Sequence, residues 1–156
     1  MDADTAFLPS SQSSQYSLLV YHQPSVVVQP FSSVGWSVNA VQNLNANWGL
    51  FARANHATAQ IPFIATSVAG GVVYNNPFNF GAKDQIGAGL AVNFTNRAFY
   101  ASQPVRTSET VAEVYYNHVF FKWLQVGPDV QVIFNPALYP HAGTAEVLTF
   151  RIAGLI

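Results

Sequence analysis

The sequence predicts an all-β chain, an antiparallel transmembrane β-barrel with about eight strands present. Three observations carry this. Apolar and polar residues alternate in at least six runs, and side chains on a strand alternate faces with period two. No segment has a helical period, and no apolar run reaches the ~18 to 20 residues of a spanning helix. Charged residues make up only 8% of the chain, against roughly 25% in soluble proteins. Alternation alone also fits a soluble sheet with one face in a core and one in water.

Met1 to Gln15 reads as a flexible leader rich in Ser and Gln, and residues 16–156 as the barrel segment. The leader is acidic and polar and lacks the apolar core of a secretory signal. An exported chain of this kind has its signal removed or carried on sequence outside this stretch. Tyr16 to Gln29 is β-rich with Pro24 inside, which removes a ladder donor and implies an edge strand, a bulge or two short strands. Trp36 to Gln42 sets Trp36, Val38 and Ala40 against Ser37 and Asn39. Trp48 to His56 sets Trp48, Leu50, Ala52 and Ala54 against Gly49, Phe51, Arg53 and Asn55. Ile64 to Tyr74 sets Val68, Val72 and Tyr74 against Ser67, Ala69 and Gly71. Asn, Pro, Gly and Asp then mark a turn. Ile86 to Phe94 alternates apolar residues with Gly87, Gly89, Ala91 and Asn93, and a longer loop follows. Three further runs lie between Glu109 and Ile156. Their polar faces carry Glu113, Tyr115 and Asn117, then Asp129, Gln131 and Asn135, then Thr149 and Arg151.

The position of the charges favours the membrane reading. Asp2 and Asp4 fall in the leader, Lys83, Asp84 and Lys122 in turns, Arg97 and Arg106 in the long loop. Glu109 and Glu146 sit at strand starts. Only Arg53, Glu113, Asp129 and Arg151 fall inside strands, all on the less apolar face. A lipid-facing Arg or Lys at mid-bilayer costs roughly 2 to 4 kcal/mol in a barrel. Trp36, Trp48, Tyr74, Phe94, Tyr116, Phe120, Trp123, Phe134 and Phe150 lie near strand ends, where interfacial girdles form. The net charge of -1 suggests no nucleic-acid partner, and the absence of cysteine decides little.

Four segments resemble the carbohydrate-selective porins of the OprB type. GWSVNAVQNLNANWGLFARANH is similar to the family's strand, short turn and strand. DQIGAGLAVNF is similar to one of its strand openings. ETVAEVYYNHVFFKWLQVGPDVQVIFNP resembles its E-x-x-Y strand followed by a P-D-x-Q strand, and VLTFRIAGLI its last strand with a central Arg. The resemblance runs from about Gly35 to the end. It implies passive diffusion of carbohydrates across a Gram-negative outer membrane, with no catalysis, cofactor or metal. It also implies that these strands are the C-terminal half of a barrel of about sixteen, since the family's barrel looks like sixteen strands in one longer chain. The expected partners are carbohydrate solutes, outer-membrane lipid, and the missing N-terminal half or another barrel chain. Two features depart from the family: its last strands usually end in Phe where this chain has Ile156, and only eight strands are seen. Eight strands suggest a truncated or split product, or a fragment that pairs with another chain.

The candidate lumen-facing residues are Arg53, Asn55, Asn93, Glu113, Tyr115, Asp129, Gln131 and Arg151. Arginines and carboxylates order water and sugar hydroxyls through directed donors and acceptors. The alternative is that they pair across strands for structure, Arg151 with Asp129 above all. Tyr115 and Phe51 could stack on sugar rings or pack against an inward-folded loop. His22, His56, His118 and His141 show no ligand spacing, and Glu113 with Asp129 lacks the marks of a glycosidase pair. Small inward residues (Gly49, Ser67, Ala69, Gly71, Gly87, Gly89, Ala91) would leave an eight-stranded closed barrel unfilled. The Tyr16 to Gln29 and Glu146 to Ile156 edges are therefore expected to pair with strands elsewhere. Two rival readings are a structural barrel component that conducts nothing and a soluble carbohydrate-binding β-sandwich.

Overall fold

The computed structural model describes residues 14–25, 31–58, 63–81, 83–98, 100, 104–121 and 123–154. The leader up to residue 13, residues 26–29 of the first run, Lys122 and Ile156 lie outside them. The strands are β1 (Gln15–Gln23), β2 (Ser33–Asn43), β3 (Trp48–Ala57), β4 (Ile64–Asn75), β5 (Gln85–Thr95), β6 (Ser108–Phe121), β7 (Leu124–Phe134) and β8 (Thr144–Gly154). They form one sheet in chain order, every neighbouring pair antiparallel. There is no helix and no second layer among the described residues, so the two-sheet sandwich is not what this sequence builds. Lengths of 9 to 14 residues suit tilted strands that cross a membrane, which need about 9 to 11.

The first strand is shorter than the β-rich run that contains it. β1 stops at Gln23, directly before Pro24, because a proline cannot donate to the ladder. Asparagine shapes several connections. Asn45 Oδ1 accepts from the amides of Asn47 and Trp48, each at 2.9 Å, and closes the β2–β3 turn. Asn76, Asn79 and Asn135 take the left-handed conformation, φ 52°, 57° and 53°, which Asn tolerates better than other non-glycine residues.

The pairing register gives the tilt. One row of paired residues runs Ser17, Asn39, Arg53, Ala69, Ala91, Val111, Ile133, Ala145. It begins near the end of the sheet that holds the β2–β3 and β6–β7 turns and finishes near the opposite end. The row climbs about one residue per strand, so a rise of ~3.3 Å over a spacing of ~4.8 Å gives a tilt of about 35°. That value belongs to barrels. The sheet is nonetheless open: β1 and β8 each have a neighbour on one side only among the described residues.

Residues paired directly across antiparallel strands share a face. The even-numbered face carries Leu18, Val38, Leu50, Val72, Leu90, Val114, Val130, Leu148 and Ile152, all exposed. Only Tyr100, Tyr115 and Ala137 are buried hydrophobic residues among those described. A single sheet with so little core and so wide an apolar face requires a non-aqueous surrounding or a partner. Aromatic residues gather at both ends. Trp48 meets Tyr74 at 4.7 Å, Phe78 meets Tyr116 at 5.5 Å and Phe121 stacks on Trp123 at 5.5 Å on the short-turn end. Trp36 with His56 and Phe63 with Tyr100 mark the other. One charge departs from the expected sidedness. Glu146, at the start of β8 as expected, is its third residue and pairs with Val132, so it sits on the apolar face. It lies near the strand's end, where the cost of a charge falls to about 0 to 1 kcal/mol.

Candidate functional site

The odd-numbered face holds the polar constellation. Arg53 and Asn55 come from β3, Asn93 from β5, Glu113 and Tyr115 from β6, Asp129 and Gln131 from β7 and Arg151 from β8. The register puts all eight on this face, in two groups.

The first group centres on Arg151. Its Nη2 donates to Glu113 Oε1 at 2.6 Å and contacts Asp129 Oδ2. The expected Arg151–Asp129 pairing is therefore present, with Glu113 as a second acid. Asp129 is fully buried while Arg151 stays about half exposed. The Arg151 contact to Asp129 is an ion contact rather than a directed hydrogen bond, and the Tyr115 hydroxyl also lacks a hydrogen-bond partner in the described structure. Gln131 Nε2 reaches Glu113 Oε2 at 3.5 Å, the outer limit of such a bond. The Arg151 guanidinium lies 5.7 Å from the centre of the Tyr115 ring, within range of a cation–π contact. Tyr115 is only 7% exposed, so its ring packs into the wall and is not a free platform for a sugar. Arg53, Phe51, Glu113, Tyr115, Asn117 and Arg151 line one open cavity of about 440 Å³.

The second group is a polar row across β4, β5 and β6. Ser67 Oγ donates to Asn93 Oδ1 at 2.8 Å, and Asn93 Nδ2 donates to Glu109 Oε1 at 3.1 Å. Glu109 Oε2 then accepts from the Ala137 amide at 2.9 Å and ties the row to the β7–β8 connection. Asn55 pairs directly with Ser67 and continues this row onto β3. Arg106 holds the same end, donating to Asn135 Oδ1 at 2.7 Å and to the carbonyls of Pro140 and Ala142.

Small inward residues are not all open space. Tyr21, Phe51 and Tyr115 each face a glycine directly across the ladder: Gly35, Gly71 and Gly87. A Cβ at any of these glycines would collide with the ring. Glycine here lets an inward aromatic ring lie flat on its neighbour, an aromatic cover for a residue that weakens a strand.

A further cluster stands at the short-turn end. Asp84, fully buried, accepts from Tyr116 Oη at 2.9 Å, His118 Nδ1 at 2.8 Å and the Val119 amide at 3.1 Å. Burial pushes its carboxyl up, but the bonds from His118, Val119 and Tyr116 outweigh it and hold the group below the usual carboxylate range. A depressed carboxylate stabilises the fold above its unfolded pKa, and the stabilisation is lost as pH falls through the folded value. Asp84→Asn should therefore lower stability at pH 7. In urea unfolding the gap between variant and parent should shrink steadily below about pH 4; a gap that is constant with pH contradicts this linkage. Among the described residues no group of His, Asp and Glu is placed to hold a metal ion.

The profile of the carbohydrate-selective porin OprB family matches residues 7–154. This chain belongs to the OprB family. It is 35% identical to Porin AaxA of Chlamydia pneumoniae over 144 residues, 92% of this chain and 33% of that porin. It is 32% identical to Porin AaxA of Chlamydia felis over 137 residues, 88% of this chain and 31% of that one. The solved high-pH structure of Pseudomonas putida OprB superimposes with a TM-score of 0.64 and 25% identity, covering 79% of this chain and 35% of that one. The chain thus spans about a third of the length of the curated relatives it matches. For an OprB-family sheet, the separation of a polar face from an apolar one is the expected construction of a porin wall.

Proposed function

We propose that residues 16–156 form part of the wall of a bacterial outer-membrane porin, along which carbohydrate solutes diffuse passively. The observation that carries this reading is the partition of the sheet. Arg53, Asn55, Asn93, Glu113, Asp129, Gln131 and Arg151 share one face, and the opposite face is apolar at its middle and aromatic at its ends. Inside the strands this face sets Arg53 and Arg151 against Glu109, Glu113 and Asp129, so the wall offers both donors and acceptors and lacks a strong field of either sign. Such a surface suits neutral polyhydroxyl solutes, which bind weakly at many places and leave again. No bond making or breaking is involved. Outer-membrane lipid covers the apolar face. The two open edges are completed by strands outside this chain, as the longer relatives can supply from their own length.

Sugar flux tests the reading. Proteoliposomes carrying the folded chain in a closed assembly should swell in isotonic monosaccharide, and more slowly in disaccharide. A well-folded insert with no flux of either sugar favours the structural role, in which the sheet associates with other chains and conducts nothing.

A further inference from the structure

We propose that the β7–β8 connection is a fixed lip over the polar face, that Arg106 is the residue that positions it, and that it limits the size of the solutes reaching the wall beneath. The inference rests on the reading of the odd-numbered face as a lumen wall.

The connection takes a path its topology does not require. β8 lies on the side of β7 away from β6, so a direct hairpin loop of about 2 to 5 residues would never approach β6. This connection runs from Asn135 to Gly143 instead. Its neck is closed: Phe134 pairs with Thr144, and the Asn135 amide donates to the Gly143 carbonyl at 2.9 Å. The residues between them turn back toward β6. The Ala137 amide donates to Glu109 Oε2 at 2.9 Å, and the Ala137 carbonyl accepts from the Arg106 amide at 3.0 Å. Glu109 pairs with Asn93 and lies on the odd-numbered face. The chain therefore passes over the polar side of β6 rather than standing clear of the sheet.

A segment that leaves its ladder must find partners for its own backbone groups. Arg106 supplies them. Its Nη1 donates to Asn135 Oδ1 at the neck, at 2.7 Å. Its Nη2 donates to the carbonyls of Pro140 at 2.6 Å and Ala142 at 3.1 Å on the returning arm. One planar fork thus ties both arms to the β5–β6 connection. Arg106 is itself fixed, because Thr95 Oγ1 donates to its carbonyl at 2.7 Å and its amide is spent on Ala137. Internal turns stiffen the rest: the Tyr139 amide donates to the Pro136 carbonyl at 3.2 Å, and the Ala142 amide to the Tyr139 carbonyl at 2.9 Å. Pro136 and Ala137 are buried, while Leu138 and Tyr139 stay exposed. Loops with closed necks, packed on themselves, frequently carry function. The Asn135–Gly143 contact already closes the hairpin, so the strands do not need the detour. Its effect is to place a rigid obstacle beside Glu109, one step along the polar face from Val111. The width of a passage is a main source of its selectivity.

The chain contains no cysteine, so Val111→Cys reports access to the wall below the lip. The full chain, folded in its closed assembly in lipid vesicles, is treated with a small maleimide or with the same maleimide on a bulky polymer. Each rate is taken relative to free cysteine. With Arg106 intact the bulky reagent should react about tenfold more slowly than the small one. Arg106→Met should remove most of that difference and leave the small reagent's rate within about twofold. Arg106→Lys keeps the charge without the fork and should behave like Arg106→Met; a Lys variant that matches the parent overturns Arg106 as the positioning residue. An unchanged bulky rate in both variants overturns the lip alone. A small reagent that never reacts means a dry odd-numbered face, and the wall reading falls together with the lip. Should neither variant fold, hydrogen exchange of the unmodified chain decides. The amides of Ala137, Tyr139 and Ala142 should exchange at least about tenfold more slowly than unstructured peptide. Unprotected exchange at all three means a loose loop and refutes the inference.

Discussion

Gly127→Val should abolish folding of the sheet or destabilise it by more than about 4 kcal/mol, a loss reserved for a few mechanisms. Gly127 lies in β7 beside Pro128, and the β6–β7 ladder is interrupted there. Tyr115 pairs with Asp129 and His118 with Val126, but the two residues between them on each strand are unpaired. Proline has no amide hydrogen to offer, and β6 closes the gap by moving in. The Tyr116 carbonyl and the Asn117 Cα occupy the space where a Gly127 Cβ would stand. Those are backbone atoms, and β6 is held on its other side by the β5 ladder, so little can give way. Side-chain crowding in a core costs typically 1 to 3 kcal/mol; a clash with a paired backbone costs more. Gly154 is the matched control. Nothing lies within 4 Å of a Cβ built there, so Gly154→Val should stay within about 0.5 kcal/mol of the parent. Urea unfolding in vesicles, followed by tryptophan fluorescence, compares the two. Equal losses at both positions contradict the close approach.

Face assignment was legible in the sequence because a strand repeats every two residues. Once Arg53, Glu113, Asp129 and Arg151 were seen at odd positions among even-numbered Val, Leu and Ile, the register had little freedom. The Arg151–Asp129 pairing followed from the same parity. Contacts that cross parity or join distant turns were not legible. Asp84 reads as an ordinary turn residue, and its partner His118 is 34 positions away at the end of another strand. Only the folded β4–β5 connection brings them together. The inward glycines were visible as small residues, yet size alone implied open water. That Tyr115 covers Gly87 and Phe51 covers Gly71 depends on rotamers as well as alternation. Glu146 reads correctly as lying at a strand start, but its side was not legible, because the start of β8 shows no turn signal sharper than Gly143 and the alternation is weakest at strand ends.

Placing arginine on the two faces of β6 separates a membrane wall from a soluble sheet. Val114 points to the apolar face, between Ala88 and Val130, near the middle of its strand. It is 52% exposed in the isolated sheet. Val111, three residues earlier, points to the polar face and lines the cavity that holds Arg53 and Arg151. If lipid covers the even face, Val114→Arg should cost about 2 to 4 kcal/mol, since the bilayer middle cannot hydrate a guanidinium. Val111→Arg enters a hydrated wall and should cost less than about 1 kcal/mol. In water the ranking disappears: Val114→Arg would add a charge to an exposed surface, within about 0.5 kcal/mol of the parent. The measurement is equilibrium unfolding of both variants in the same phosphatidylcholine vesicles. Near-equal stability of the two would place the even face in water and remove the physical basis for a porin wall. A loss confined to Val114→Arg fixes which side of this sheet faces the membrane, and with it which side faces the solute.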